Sequence, residues 1–181
     1  MKPFQRRGAR VAPLLLACAC ICSGRAAAQS ILPDTTALTF HGIPAGASLA
    51  QLSDHIRRLS GFPLRCLRSR RDRSVQECRS SYLDAAGGLT VELWLSAIDS
   101  LSGIITLKST SGSTQLAQWR DHLQQRYGMV PVNVQGPQRM LQWVRRGRMI
   151  RLTWRREGSA IAMSVSLVDG RVLDRWGQKK E

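Results

Sequence analysis

The cysteines are the residues whose spacing most directly indicates a chemical bond. Of five cysteines, Cys66 and Cys78 lie outside the N-terminal apolar run, on either side of the tetrapeptide Arg70-Arg71-Asp72-Arg73. If these four residues turn a hairpin, the two sulfur atoms face each other across the strands, within bonding range. The spacing therefore predicts one disulfide bond, which in the chain-entropy model would stabilise the fold by up to about 3 kcal/mol.

Arginine is the residue type that could bind a ligand by charge. The chain has 27 Lys and Arg against 12 Asp and Glu, a formal charge of +15. Guanidinium groups bind phosphate and carboxylate oxygens, so arginines in two predicted turns and one predicted strand are candidate anion-binding residues. They are Arg70, Arg71, Arg73, Arg145, Arg146, Arg148, Arg151 and Arg155. Because an exposed strand face is normally charged, an ordinary solvated surface is the alternative interpretation.

The histidines and acids show no spacing typical of a catalytic or metal centre. His41, His55 and His122 are isolated, and Asp54 diverges from the adjacent His55 by about 100° on a helix. The sequence contains no G-x-S-x-G elbow, phosphate-binding loop, H-E-x-x-H or paired C-x-x-C motif. We therefore expect no enzyme activity, no metal and no cofactor. An unrecognised hydrolase, whose residues converge only in the fold, is the enzyme alternative.

The N-terminus predicts export. Residues 1–10 are basic, residues 11–22 are apolar, and small residues follow at 24–28, which is the order of a secretory signal peptide. The apolar run is shorter than the roughly 20 residues that a spanning helix needs, and we expect no transmembrane helix after it. Cleavage before Gln29 would give a periplasmic or secreted protein with a net charge of +10. A lipoprotein beginning at Cys18 is the alternative.

Two helix-plus-strand units are expected to position these residues, after a linker at 29–37. In the first unit, 38–109, a strand at 38–40 and a turn at 43–46 lead to a helix capped by Ser48 and ended by Gly61. The disulfide hairpin comes next. Residues 89–109 fit a hairpin turning at 99–103, which we prefer, although 90–101 also fits a helix.

The second unit, 111–176, is predicted to be a helix followed by a three-stranded meander, with a short tail at 177–181. Ser113 or Thr114 would cap the helix and Gly128 would end it. Turns at Arg146-Gly147 and Glu157-Gly158 set Trp143 opposite Ile150 and Trp154 opposite Ile161 on one apolar face. A third turn at Asp169-Gly170 would place Asp174 on that face, so the chain should bend away there. The sequence thus predicts the α+β class.

One segment resembles a known family. Phe40-His41-Gly42-Ile43-Pro44-Ala45-Gly46, followed by Leu49, Leu52, Leu59, Ser60-Gly61 and Gly88-Leu89-Thr90-Val91-Glu92, is similar to the short N-terminal domain of secretins and TonB-dependent receptors. The resemblance covers 40–109. The helix-plus-meander order also resembles BamE-like small envelope proteins. Both resemblances imply a protein-binding module of the cell envelope and supply no catalytic residues.

These observations favour an exported, non-catalytic binding or structural module whose partner is an unknown envelope protein. Trp94 and Trp176 fall outside the apolar pattern and would serve as interface anchors. A basic module that binds anionic lipid or glycan is the second hypothesis. Nucleic acid is disfavoured, because export removes the protein from the cytoplasm and Trp143 and Trp154 are assigned to the core.

Overall fold

Antiparallel strands dominate residues 37–84 and 88–178, which are the residues that the computed structural model describes. The predicted signal peptide, the linker before residue 37 and the end of the predicted tail lie outside the described residues. In the described part of the chain, no helix is long and apolar enough to cross a membrane.

Three helices and two antiparallel sheets make up the described fold. The helices are α1 Leu49–Ser60, α2 Ser113–Tyr127 and α3 Gly170–Gln178. Strands β1 Thr39–Phe40 and β2 Ile43–Pro44 form a small hairpin. The main sheet contains β3 Arg65–Arg68, β4 Val75–Leu83, β5 Thr90–Ile98, β6 Leu101–Ser111, β7 Asn133–Gln135, β8 Gln138–Arg145, β9 Arg148–Glu157 and β10 Ala160–Asp169. The predicted α+β class is correct at this level, with more strand than helix.

The main sheet has a symmetric strand order, β3-β4-β5-β6-β10-β9-β8-β7. Each half is a helix followed by a four-stranded meander, and the halves join where β6 pairs with β10. The two predicted units are therefore halves of one sheet, since β6 runs through the expected boundary at 109–111. The second meander has four strands instead of three, because β7 was not foreseen.

One face of the main sheet carries the core. Side chains such as Leu95, Leu107 and Val165 alternate onto this face, where Leu52 of α1 and Trp119 of α2 cover them. The β1–β2 hairpin adds Leu38, Phe40 and Ile43 to the same core. The other face carries more polar side chains, such as Thr106, Ser164 and Arg151.

The first half confirms several local predictions. Ser48 caps α1 in a capping box with Gln51, and Gly61 ends the helix in a left-handed conformation. Residues 90–111 form the preferred hairpin, turning at Asp99-Ser100 instead of at 99–103. Of the turn expected at 43–46, only Ala45-Gly46 is a turn, because the chain reverses at His41-Gly42, both with positive φ, and 43–44 form β2.

The disulfide prediction is confirmed. Cys66 in β3 lies directly opposite Cys78 in β4, with their Cα atoms 4.0 Å apart and the sulfur atoms bonded. Cys66 is exposed while Cys78 is fully buried. The bond therefore ties the edge strand of the sheet to a strand that belongs to the core.

The β9–β10 hairpin in the second half has a different register from the predicted one. Trp143 pairs with Ile150 as predicted, but Trp154 pairs with Met163 instead of Ile161. The loop is Gly158-Ser159, in which glycine takes the positive φ of 61° at the first turn position. A shift of two residues keeps every side chain on its predicted face.

Both ends of the second half also differ from prediction. Helix α2 begins at Ser113, and its N-cap is Gly112 without a side-chain hydrogen bond, instead of Ser113 or Thr114. The chain does bend away after β10, but as helix α3. Asp169 promotes this helix, because its carboxylate accepts a hydrogen bond from the backbone N–H of Arg171 at 3.1 Å.

Candidate functional site

The face of the main sheet opposite α1 and α2 is the candidate site, and we call it the open face. It comprises the outward side chains of β3, β4, β5, β6, β8, β9 and β10, among them Trp94, Thr106 and Ser166. Helix α3 crosses one end of the sheet, where Leu173 lies close to Gly103 and Ile98. One row of this face is apolar and contains Ile104, Val168, Met149 and Val144, and the rows farther from α3 project mostly Ser, Thr, Gln and charged side chains.

A row of seven side chains crosses the open face, one from each of seven adjacent strands. The strand register places them in the order Arg65, Arg79, Trp94, Thr106, Ser166, Arg151 and Gln142. We call this set the central row. It places a half-buried tryptophan between an exposed arginine and a threonine, near the middle of the sheet.

Hydrogen bonds hold part of the central row in place. Arg151 donates from Nε and Nη2 to the Oε1 atom of Gln142, at 2.9 and 2.7 Å. The hydroxyl oxygens of Thr106 and Ser166 lie 3.4 Å apart. The guanidinium plane of Arg151 is therefore oriented before any ligand arrives, which lowers the entropy lost on binding.

A polar groove of about 460 Å³ lies next to the central row, toward the end of the face away from α3. It crosses β5, β6, β10, β9 and β8, and Glu92, Lys108 and Arg155 are among its lining residues. Thr153 and Ser164 line it too, with their hydroxyl oxygens 2.7 Å apart. The groove thus offers both signs of charge and several hydroxyl groups to a partner.

The predicted anion-binding arginines do not form one site. Arg151 and Arg155 lie on β9, where Arg155 pairs with Glu157. The other six lie at the opposite end of the sheet, in or beside the β3–β4 and β8–β9 turns. They are Arg70, Arg71, Arg73, Arg145, Arg146 and Arg148.

Two of these six arginines serve the fold. Arg145 donates to the backbone oxygen of Tyr127 at 2.9 Å and stacks over its ring. Arg148 donates to the carboxylate of Asp169 at 2.9 Å, and Arg171 donates to the same carboxylate. Asp169 is only 1% exposed.

The protonation of Asp169 depends on these arginines. Burial by itself would raise the pKa of the carboxyl group, but the hydrogen bonds and charges of Arg171 and Arg148 outweigh it and lower the pKa to about 2. The charged trio joins the end of β10 to the start of β9 and to α3. We therefore interpret Arg148 as a structural residue.

A buried polar cluster, absent from the sequence-based prediction, joins the β1–β2 turn, the end of β4 and α2. His41 Nδ1 lies 2.7 Å from the hydroxyl of Tyr82, and His41 Nε2 lies 3.9 Å from Asp84. Asp84 accepts hydrogen bonds from Gln115 at 2.8 Å and from the indole of Trp119 at 3.3 Å. His55, in turn, makes a 2.9 Å hydrogen bond with the backbone oxygen of His41.

Burial perturbs the acid–base behaviour of this cluster. It lowers the pKa of His41, an effect partly opposed by the charge of Asp84 and reinforced by His122. Burial, with a further contribution from Asp84, raises the pKa of Tyr82. A neutral imidazole and a neutral phenol therefore brace the fold at neutral pH.

The sequence held one signal of this cluster. Gln115 precedes Trp119 by four residues and so lies on the apolar stripe of α2, where a polar side chain needs a buried partner. The partner, Asp84, is far away in sequence, so its identity could not be deduced. Among the described residues, no group of three or more His, Cys, Asp or Glu side chains is arranged to hold a metal ion.

The chain was compared with known proteins at three levels. No family model, no curated protein and no solved structure matches it. Its function must be argued from its own geometry.

Proposed function

We propose that this chain is a non-catalytic protein-binding module of the cell envelope, and that its partner docks on the open face of the main sheet. The observation that carries the proposal is the central row, in which Trp94 lies between Arg79 and the Thr106–Ser166 pair. Tryptophan and arginine are the residue types that most often dominate the binding energy of protein interfaces.

The size of the open face supports a protein partner. Seven strands at a spacing of about 4.8 Å span roughly 29 Å, and four same-face positions along β10 span roughly 20 Å. The projected area is on the order of 600 Å², before side chains and curvature are added. A standard protein interface covers about 800 Å² on each partner, so the face is of suitable size.

The chemistry of the face indicates what kind of partner fits. Arg79 and Arg151 would pair with carboxylates, and Arg151 is already oriented by Gln142. Glu92 of β5 lies directly opposite Lys108 of β6, and both line the groove. There they would add polar contacts at the rim of the interface. We therefore expect a partner surface with exposed acidic residues around an apolar recess for Trp94.

The location in the envelope rests on the N-terminal sequence and the disulfide. The predicted signal peptide at 1–28 directs export, and disulfide bonds persist in oxidising compartments. The resemblance of residues 40–109 to the short N-terminal domain of secretins and TonB-dependent receptors agrees with a binding role there. A periplasmic or secreted form starting at Gln29 is our proposal, with the Cys18 lipoprotein as its variant.

Site-specific photo-cross-linking tests the docking surface. A photoreactive amino acid replaces Ser96 or Thr106 on the open face, and the protein is irradiated in its native envelope. The matched controls place the same group at Gln118 or Gln125, on the outer side of α2. We expect one discrete protein adduct from the open-face positions and none from the controls.

Two results would overturn the proposal. One is the same set of adducts from the α2 controls, which would mean random encounters. The other is a protein whose open-face positions give no adduct although the α2 positions give a discrete one, because the partner would then dock elsewhere.

A further inference from the structure

A dense group of exposed arginines lies along one edge of the main sheet. Residues 57–79 contain eight arginines and two acidic residues, a net charge of +6 and more than half of the net charge of residues 29–181. All eight arginines are exposed. They are Arg57, Arg58, Arg65, Arg68, Arg70, Arg71, Arg73 and Arg79.

Exposed apolar side chains are interspersed among these arginines. Leu59 is 41% exposed, Phe62 is 70% exposed and Leu67 is 79% exposed. Phe62, Arg65 and Arg79 line a common shallow cavity, so apolar and cationic groups meet at one surface. We call residues 57–73 together with Arg79 the basic edge.

The basic edge is built on a strand that has a free side. β3 is the first strand of the sheet, pairs only with β4 among the described strands, and is exposed at all four positions. The Cys66–Cys78 disulfide holds this short strand against the core strand β4. Arg65 and Arg68 are thus presented on a strand held to the core, and the turn with Arg70, Arg71 and Arg73 joins that strand to β4.

From this combination we infer that the basic edge docks on an anionic lipid surface. Arginines bind headgroup phosphates, and each cation near an anionic bilayer adds to the attraction. Phe62 and Leu67 would enter the boundary between headgroups and acyl chains, where apolar side chains gain by leaving water. An acidic protein surface would satisfy the arginines but would leave two strongly exposed apolar side chains without this gain.

This surface differs from the open face, sharing with it only Arg65, Leu67 and Arg79. A test should therefore change residues that belong to the basic edge alone. The tip arginines Arg70, Arg71 and Arg73 meet this condition, as does Phe62. Failure of the lipid inference would then leave the protein-docking proposal intact. Failure of the protein-docking proposal would likewise leave the lipid inference intact.

The experiment measures co-sedimentation of the oxidised chain, beginning at Gln29, with two kinds of vesicle. One kind contains phosphatidylcholine alone, and the other contains phosphatidylcholine and phosphatidylglycerol. We expect binding only to the second kind, weakening as salt increases because surface charges are screened. The triple variant R70Q/R71Q/R73Q should bind roughly 100-fold more weakly, since it loses three cations near the surface.

A matched variant controls for net charge. R120Q/R139Q/R156Q removes three exposed arginines that lie away from the basic edge, and it should bind within about threefold of the unchanged chain. The apolar part is tested by F62A, which should weaken binding about tenfold at constant charge.

Four outcomes would overturn the inference. Equal binding to both vesicle types would remove the role of anionic lipid. An equal loss in the two arginine variants would show attraction by net charge alone. A third result is complete release of the chain from the vesicles by inorganic phosphate where sodium chloride of the same ionic strength does not release it. That result would indicate a site for free phosphate. Finally, binding to neither kind of vesicle, together with pairing of a peptide along β3, would show that the basic edge binds protein and not lipid.

Discussion

At the scale of single residues, Asp169 is the buried charge on which the end of the sheet depends. Its carboxylate receives hydrogen bonds from Arg148 and Arg171, so Asp169→Asn would leave Arg148 without its buried counter-charge. We expect the variant to lose about 2 kcal/mol of unfolding free energy at neutral pH. Chemical denaturation of D169N measures this loss, and D174N, on the exposed side of α3, should lose almost nothing.

The pH dependence of this difference has a definite sign. The pKa of Asp169 is lowered in the folded state from 3.8 to about 2, so its stabilising effect is present above pH 4 and fades as pH falls toward 2. The stability curves of the unchanged chain and D169N should therefore converge in that range. A constant gap down to pH 2 would contradict the ion-pair interpretation.

Protonation of His41 is expected to lower the stability of the folded chain. Burial lowers its pKa below the ordinary value of 6.5, while Asp84 opposes and His122 reinforces the shift. The unfolded chain then binds more protons below about pH 6.5, and stability falls as the pH drops below that value.

The variant His41→Asn isolates this effect, because asparagine tolerates the positive φ of 49° at this turn position. We expect H41N to be less stable at pH 7.5, since it loses the contact with Tyr82, but to lose less stability between pH 7 and pH 5. Thermal unfolding across that range measures the slope. An unchanged slope would show that His41 is not the titrating group.

At the scale of elements, the disulfide determines how firmly β3 is held. β3 has four residues and one neighbouring strand among those described, so removing the covalent tie should release it before the rest of the sheet. In C66A/C78A we expect protection from amide hydrogen exchange to fall more in β3 than in β9 and β10, where it should fall only by the global loss of up to about 3 kcal/mol. Protection lost evenly over the whole sheet would contradict this local role.

Elements whose signals are local were predictable from the sequence. Ser48 with Gln51 and Gly61 marks both ends of α1, and Arg146-Gly147 marks a turn in which both residues take positive φ. The cysteine pair predicted its own hairpin register. The register of the β9–β10 hairpin at Gly158 could not be fixed to better than two residues from the sequence. Either loop keeps the same side chains on the apolar face.

Features that depend on distant partners were not predictable. The pairing of β6 with β10 needs two halves to meet, and neither strand carries a residue that specifies the other. The buried cluster brings His41, Asp84 and Gln115 together from three elements. The open face is likewise visible only in the sheet, because Arg79, Trp94 and Arg151 become neighbours in a row through strand register.

At the scale of the whole molecule, the chain separates its surfaces by chemistry. Helices α1 and α2 bury one face of the sheet, the open face carries the aromatic and arginine groups of an interface, and the basic edge concentrates positive charge. We propose that the open face selects a protein partner while the basic edge places the module at an anionic membrane surface.

The most direct test of the protein-docking proposal is the affinity of Trp94→Ala for the partner identified by cross-linking. Isothermal titration calorimetry compares the unchanged chain, W94A and the control W176A. The sequence predicts Trp176 as a second interface anchor, but its indole N–H on α3 donates to Asp72 at 2.8 Å, so we assign it a structural role. We expect W94A to bind at least 30-fold more weakly, as central tryptophans do, with its melting temperature nearly unchanged. W176A should bind as the unchanged chain does. Equal affinity of W94A and the unchanged chain would contradict the proposal that the open face is the binding surface.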